Sequence, residues 1–400
     1  MQSSGLTHLN IIGGTYLEEC LDPIWKKLFG SGLRSLELVK KVFPTLKVDF
    51  YTGSKNRMRL LKSKYCNKYI TLHAEVESDI SFRYVNPFHL DFINNYPKVQ
   101  AKMELPDTDN VVAFGMLEAQ SVVNCKKCVY DPQSSSKCFL FSRSGSNAEK
   151  LVYVLNKHEA ETLSNQKQLE KIADFFFKNE NCYALIVKDG PHGAHLFMPD
   201  KSVIEIPVYF TSHSFTIGSG DIFTTAFALR WMDNGNLKEA ANYASLMVAK
   251  YSNNAGNIDK MLTDKEYSPE FSKRKGKVYL AGPFFNRYQK ILLFEVNNAL
   301  ESSDIQVFLP MRDAGTENPK DYASRDLKGI DESDVVMAIC EDIDSGTLFE
   351  MGYAYAKGKK IVVLTSKTAN QNFDMLSGLE CEIESDFTTA IYKACWYAER

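Results

Sequence analysis

Apolar residues fall along this chain in two rhythms. Short unbroken runs that stop at glycine, aspartate or asparagine predict buried strands. Residues 9–12 before Gly13-Gly14, 110–114, 151–155, and 184–188 before Asp189-Gly190 are of this kind, with shorter strands at 47–52 and 128–130. Between them, helices are expected at 35–42, at 116–124, from Asn156 onward, and as a pair from Gly218 to about residue 254. Residues 69–72 and 81–85 alternate like edge strands and predict a small lid sheet over a pocket, and 195–198 with 202–207 predicts a hairpin. Strands alternating with helices imply a mostly parallel sheet covered on both faces, with sites beyond the carboxyl ends of its strands. Gly13, Asn156, Asp189 and Gly218 fall at those ends.

From about residue 259 the chain turns polar and charged, with a proline, and reads as a linker (261–276). A second strand–helix series follows, with strands at 278–281, 307–310, 335–339 and 360–364 and helices at 288–302, 324–330 and 346–357. It predicts a smaller parallel α/β domain over 277–400, after a first domain over 1–260. No internal repeat or low-complexity tract interrupts either series.

Length, at 400 residues, suggests two or three domains. A hydrophobic share of 44%, a charged share of 24% and a net charge of −3 describe a soluble globular protein with no basic field for nucleic acid or membrane. No apolar run reaches transmembrane length and no secretory signal opens the chain, so a cytoplasmic location is expected. Nine scattered cysteines fit reduced thiols there. The lone CxxC, Cys125 to Cys128, lacks a second pair at zinc spacing and reads as structural.

Candidate chemistry concentrates at Thr216-Ile217-Gly218-Ser219-Gly220-Asp221, a glycine-bracketed turn opening an apolar helix. Amides at a helix start hold anions, and a carboxylate among them suits proton handling or metal ordering, as phosphoryl transfer requires. A capped helix with an early acidic residue is the alternative. The turn resembles the signature of the ribokinase-type carbohydrate kinase (PfkB) family. Asn156-Lys157-His158-Glu159 resembles that family's asparagine-x-x-glutamate motif, the stretch from Val187 to Gly193 its glycine pair after a strand, and Gly30-Ser31-Gly32 its N-terminal glycine pair. The matches span about residues 9–256 in the family's order.

That resemblance implies a ribokinase-like α/β/α domain with a small lid, and ATP and Mg2+ as cofactors. It gives Asp221 the role of base, the amides of Gly218, Ser219 and Gly220 that of steadying the transferred phosphoryl group, and Asn156 and Glu159 that of organising magnesium and phosphates. Asp189, Gly190 and Gly193 would lie near the nucleotide; Glu18, Gly30, Gly32 and Arg34 would face the acceptor. Arg34 stands near the place where the family usually has an asparagine, which points toward an acceptor carrying an anion.

In the second domain, the stretch from Asp344 to Ala354, with residues 278–284, 326–330 and 333–336, resembles the nucleoside 2-deoxyribosyltransferase family. Breaking an N-glycosidic bond builds positive charge on the sugar, so a carboxylate beneath the anomeric carbon and an acid at the departing base are needed. Glu350, just after a glycine turn, suits the first role. The resemblance implies a flavodoxin-like domain in which Glu350 is the nucleophile. Asp326 would stand at the leaving base, Asp344 at the sugar or base, Tyr279 beside the nucleophile, and Gly282 and Pro283 at the substrate. Asn372 resembles an asparagine lent by a neighbouring subunit, implying a homodimer or larger assembly. Together the two domains point to nucleoside salvage or breakdown, acting on a nucleoside, nucleotide or sugar. The alternatives are a regulatory or defence protein that senses a nucleotide in one half and depletes NAD or nucleotides in the other, and a scaffold with neither activity.

Overall fold

A computed structural model describes residues 5–53, 57–74, 76, 79–133, 139–262, 266–271, 276–314, 319–341, 344–366, 376 and 378–399. The chain divides into two compact units, Met1–Phe271 and Ser272–Arg400.

The first unit is built on a nine-stranded sheet. Across the sheet lie Val203–Ile206, Ala194–Phe197, Ala184–Lys188, Asn147–Asn156, Asn124–Asp131, Thr108–Phe114, His8–Ile12, Lys47–Thr52 and Ile70–Ala74. The seven strands from Ala184–Lys188 to Ile70–Ala74 run parallel, and the expected hairpin adds two antiparallel strands at the far edge. Strands covered on both faces read as continuous apolar runs, and Leu151 to Leu155 shows why. Val152 and Val154 enter one core cluster, while Leu151, Tyr153 and Leu155 enter the other. The first core is closed by helices Gly30–Val42, Ser219–Asn234 and Leu237–Asn253, the second by Leu169–Asn179. Strand order reverses beside His8–Ile12, which leads to Lys47–Thr52 on one side and is flanked by Thr108–Phe114 on the other.

A separate four-stranded sheet, ordered Trp25–Leu28, Leu17–Cys20, Ser81–Asn86 and His89–Asn94, forms the lid. Residues 81–85 belong to it as expected. Residues 69–72 do not: Ile70–Ala74 pairs in register with Lys47–Thr52 and edges the main sheet. The helix expected at 116–124 is also absent. Ala119–Val122 is a strand paired with Ala101–Glu104, and Asn124–Asp131 enters the main ladder. The helix-forming side chains there are overridden by two sets of ladder bonds, and Glu118 turns inward to Tyr16. Cys125 and Cys128 therefore sit in one strand, both buried. Of the linker stretch, Met261 is buried in the first core and Pro269–Glu270 pairs with Val208–Tyr209.

The second unit is a five-stranded parallel sheet: Gln306–Phe308, Lys277–Ala281, Val335–Ile339, Lys360–Leu364 and Glu382–Glu384. Counted in chain order this is 2-1-3-4-5, the flavodoxin-like doubly wound order, whose crevice opens where the first and third strands part. Alternation sends Val278 and Leu280 into one core and Tyr279 and Ala281 into the other, where helix Ser345–Ala356 contributes Met351 and Ala354.

Candidate active sites

In the first unit, Gly218 caps helix Ser219–Asn234 with φ +78, in the left-handed region that glycine enters without steric cost. A Cβ there would collide with the Arg34 guanidinium. The Ser219 amide is already bonded to the Thr216 carbonyl at 3.0 Å. Gly220 and Asp221 follow in the first turn, whose amides have no intrahelical acceptor.

This turn faces a cavity of about 320 Å³. Glu18, Arg34, Asn156, Glu159, Gly218, Gly220 and Asp221 line it. The lid contributes Phe82, Tyr84, Leu90 and Ile93. Gly30, Gly32, Ser219, Asp189, Gly190 and Gly193 are not among the lining residues. Gly30 instead donates its amide to Glu18 Oε1 at 3.0 Å, and Gly32 donates to the Gly14 carbonyl at 3.1 Å, seating the helix start against the first strand's turn. Gly193, at φ +92, passes so close to the Ile206 carbonyl that no side chain fits.

Charged groups meet in this cavity in two sets. Arg34, buried, ion-pairs with both Glu18 and Asp221. Burial opposes its charge, but Glu18, Tyr251 and Asp221 hold it. The guanidinium is thus engaged by two carboxylates. Lys188 places its ammonium 2.9 Å from Asp131 Oδ2, which also accepts from Thr224 Oγ1 at 2.8 Å. A Cβ on Gly220 would lie 3.1 Å from the Lys188 ammonium, so the amine stands at the anion turn itself. Lys188, Asp131 and Gln133, whose amide donates to Asp221 Oδ1, escaped the sequence reading. The available signal was a lone lysine closing an apolar strand, and Asp131-Pro132 closing another.

Asn156 and Glu159 form a reciprocal capping box at the start of Lys157–Ser164, with both bonds at 2.8 Å. Mg2+ takes hard oxygen ligands, commonly one or two carboxylates with water and substrate phosphates. The Glu159 carboxylate and the Asn156 amide oxygen, both lining the cavity, are donors of that kind. Among the described residues no cluster of three or more His, Cys, Asp or Glu forms an all-protein metal cage.

In the second unit, Tyr279 donates its hydroxyl to Glu350 Oε1 at 2.8 Å. Its ring is stacked on Phe308, centroids 5.3 Å apart and planes at 11°. Glu350 is half-buried, and its carboxyl is pushed up to about 7 by burial and by the charges of Asp326 and Asp344, against the pull of the Tyr279 hydrogen bond. Burial likewise lifts Asp326 to about 6, and its Oδ1 is enclosed without a hydrogen-bond partner. Asp344 caps helix Ser345–Ala356, accepting from the Thr347 amide at 2.9 Å and its hydroxyl at 3.0 Å. Gly282 closes the first strand, where a Cβ would meet the Ile339 side chain at 3.2 Å; Pro283 follows, buried. Tyr279, Asp326 and Asp344 therefore all act on the Glu350 carboxyl. Asn372 lies outside the described residues.

Residues 278–387 match the family model of nucleoside 2-deoxyribosyltransferases, and residues 104–259 match that of the pfkB family of carbohydrate kinases. The chain thus carries one segment similar to carbohydrate kinases and a later one similar to nucleoside 2-deoxyribosyltransferases. The kinase match begins beyond Glu18, Gly30, Gly32 and Arg34 and includes Asn156, Lys188 and Asp221; the transferase match includes Tyr279, Asp326, Asp344 and Glu350. Similar solved structures include a fructokinase from Vibrio cholerae (12% identity, 64% of this chain and 96% of that one, TM-score 0.46). A ribokinase from Thermotoga maritima is similar at 15% identity (64% and 95%, TM-score 0.45), as is a nucleoside kinase from Methanocaldococcus jannaschii at 15% (64% and 97%, TM-score 0.43). No curated protein matches. Among the described residues, no helix of either segment is long and apolar enough to cross a membrane.

Proposed function

We propose that the chain is a bifunctional enzyme of nucleoside metabolism. Its transferase-type unit cleaves or transfers at the N-glycosidic bond through Glu350, and its kinase-type unit phosphorylates a nucleoside or sugar hydroxyl with ATP. The observation that carries the first half is the Tyr279–Glu350 hydrogen bond, with the charges of Asp326 and Asp344 acting on the same carboxyl. Burial raises both carboxyls, Glu350 and Asp326, so the pair can hold one proton for the departing base while the other member stays ionised.

In this reading a Glu350 oxygen attacks the anomeric carbon as the carbon–nitrogen bond breaks. The electron pair leaves on the base nitrogen, and Asp326 in its acid form supplies the proton. The glycosyl ester on Glu350 is then opened by the nitrogen of a second base or by water, whose proton returns to Asp326. Tyr279 donates to the carboxylate as it is released.

In the kinase-type unit, Asp221 takes the proton of the acceptor hydroxyl, whose oxygen attacks the γ-phosphorus as the bond to the β-phosphate oxygen breaks. The Gly220 amide and the Lys188 ammonium face the phosphoryl group and offset its charge. Glu159 and Asn156 are the residues to hold Mg2+, which, when bound, neutralises phosphate charge. A second copy of the chain is the proposed partner. Helix Arg287–Ser302 leaves Tyr288 83% exposed, with Ile291 and Phe294 at three-residue spacing also exposed, an apolar stripe of the sort that subunits bury.

Incubation with a nucleoside panel, with and without Mg-ATP, tests both halves by mass spectrometry. Glu350→Ala is expected to abolish release of free base and spare phosphorylation; Asp221→Asn is expected to do the reverse. Base release persisting in Glu350→Ala removes the nucleophile assignment.

A further inference from the structure

Asp221 is not free to act as a base in this structure. Its Oδ2 accepts from Arg34 Nη1 and its Oδ1 from Gln133 Nε2. The other terminal nitrogen of the same guanidinium reaches Glu18 Oε2. The Arg34 side chain is 1% exposed, lies over the Phe29 ring at 4.8 Å from its centroid, and packs against Gly218 of the anion turn. One cation thus bridges the two carboxylates between which an acceptor hydroxyl would sit.

We propose that Arg34 is a built-in latch on the acceptor site, occupying the place of the substrate hydroxyl between Glu18 and Asp221, so that phosphoryl transfer requires the guanidinium to move aside. The latch rests on the kinase reading above. Each Asp221 oxygen already accepts one strong bond, and the guanidinium fills the space between Asp221 and Glu18, so an incoming hydroxyl must displace it to reach the carboxylate. Arginine does not release a proton near neutral pH, so it cannot relay one in place of Asp221. The guanidinium also leaves Nε buried without a hydrogen-bond partner. An unsatisfied buried donor costs free energy, which offsets part of what the two ion pairs contribute. Lys188 is held by Asp131, and Asn156 and Glu159 by each other, so these groups on the phosphate side do not depend on the guanidinium. Nucleotide binding and transfer are therefore separable, and the latch acts on transfer alone.

The test compares the full chain with Arg34→Gln, Arg34→Lys and the double variant Arg34→Gln/Asp221→Asn. It reads ATP affinity by calorimetry and phosphorylation of a nucleoside panel by mass spectrometry. Arg34→Lys keeps a buried cation but cannot bridge both carboxylates in a planar fork, so it serves if Arg34→Gln does not fold. The expected result is unchanged ATP affinity and a rise in transfer rate of about a hundredfold, the low end of what a positioned general base contributes. That gain should vanish in the double variant. Wild type transferring as fast as both single variants overturns the latch and leaves the kinase reading standing. ATP binding without transfer in every form overturns the kinase reading and the latch with it.

Discussion

Replacing Tyr279 by phenylalanine removes one oxygen and leaves the ring stacked on Phe308. What is lost is the 2.8 Å bond to Glu350, which now holds that carboxyl down to about 7. A hydrogen bond to a charged group contributes about 1.5–3 kcal/mol, and the lower figure, for a half-buried site, is about one unit of pKa. Glu350 in Tyr279→Phe should then titrate about one unit higher, and its ionised fraction at pH 7 falls from about half to about one tenth. Relative to wild type, kcat/KM for base release should drop about tenfold below pH 6 and about fivefold at pH 7, with almost no loss by about pH 9, where both forms are ionised. Chromatographic measurement of free base across that range is the assay. A loss of equal size at every pH would refute the linkage, since it would mean that Tyr279 acts on the substrate or the fold and not on the charge of Glu350.

Three further outcomes follow from the same geometry. Glu350→Gln should abolish base release yet raise the melting temperature of the second unit. The folded carboxyl sits at about 7 against 4.5 unperturbed, so its ionisation penalises the fold increasingly from about pH 4.5 to 7; the gain should be full above that window and absent below it in melts at paired pH values. Asp49, which bonds His8 Nε2 at 2.7 Å and His73 Nε2 at 2.9 Å, is held below the usual carboxylate range by those bonds against the effect of burial. Asp49→Asn should cost about 1 kcal/mol or less for this partly exposed cluster. That loss should be seen at neutral pH and vanish once acid protonates Asp49 in both states, as urea titrations would show. Lys188→Met strands Asp131 as an unpaired buried charge and should cost about 3–5 kcal/mol. Lys188→Met/Asp131→Leu should recover that stability and still bind ATP more weakly, whereas recovery of both would make the pair purely structural.

Much of the candidate chemistry lies in short segments whose physics is local. The Asn156–Glu159 capping box closes within four residues, so its side chains could be placed from spacing alone. The left-handed Gly218 and the following Asp221 belong to one turn. Continuous apolar runs such as Leu151–Leu155 already encode burial on both faces of a sheet. Local preference failed at 116–124, where ladder partners on other strands outweighed helix propensity.

The sequence by itself settled the alternation of strands and helices, the division into two α/β series, and the residue types gathered near each strand end. Only the tertiary structure decided which of those groups touch. Arg34 meets Asp221 across 187 positions, Gln133 meets it across 88, and Tyr279 meets Glu350 across 71. No period or turn rule reaches over such distances. The pairs exist because parallel strands deliver remote segments to one edge, and the charge state of each carboxylate is fixed there by neighbours that the linear order keeps apart.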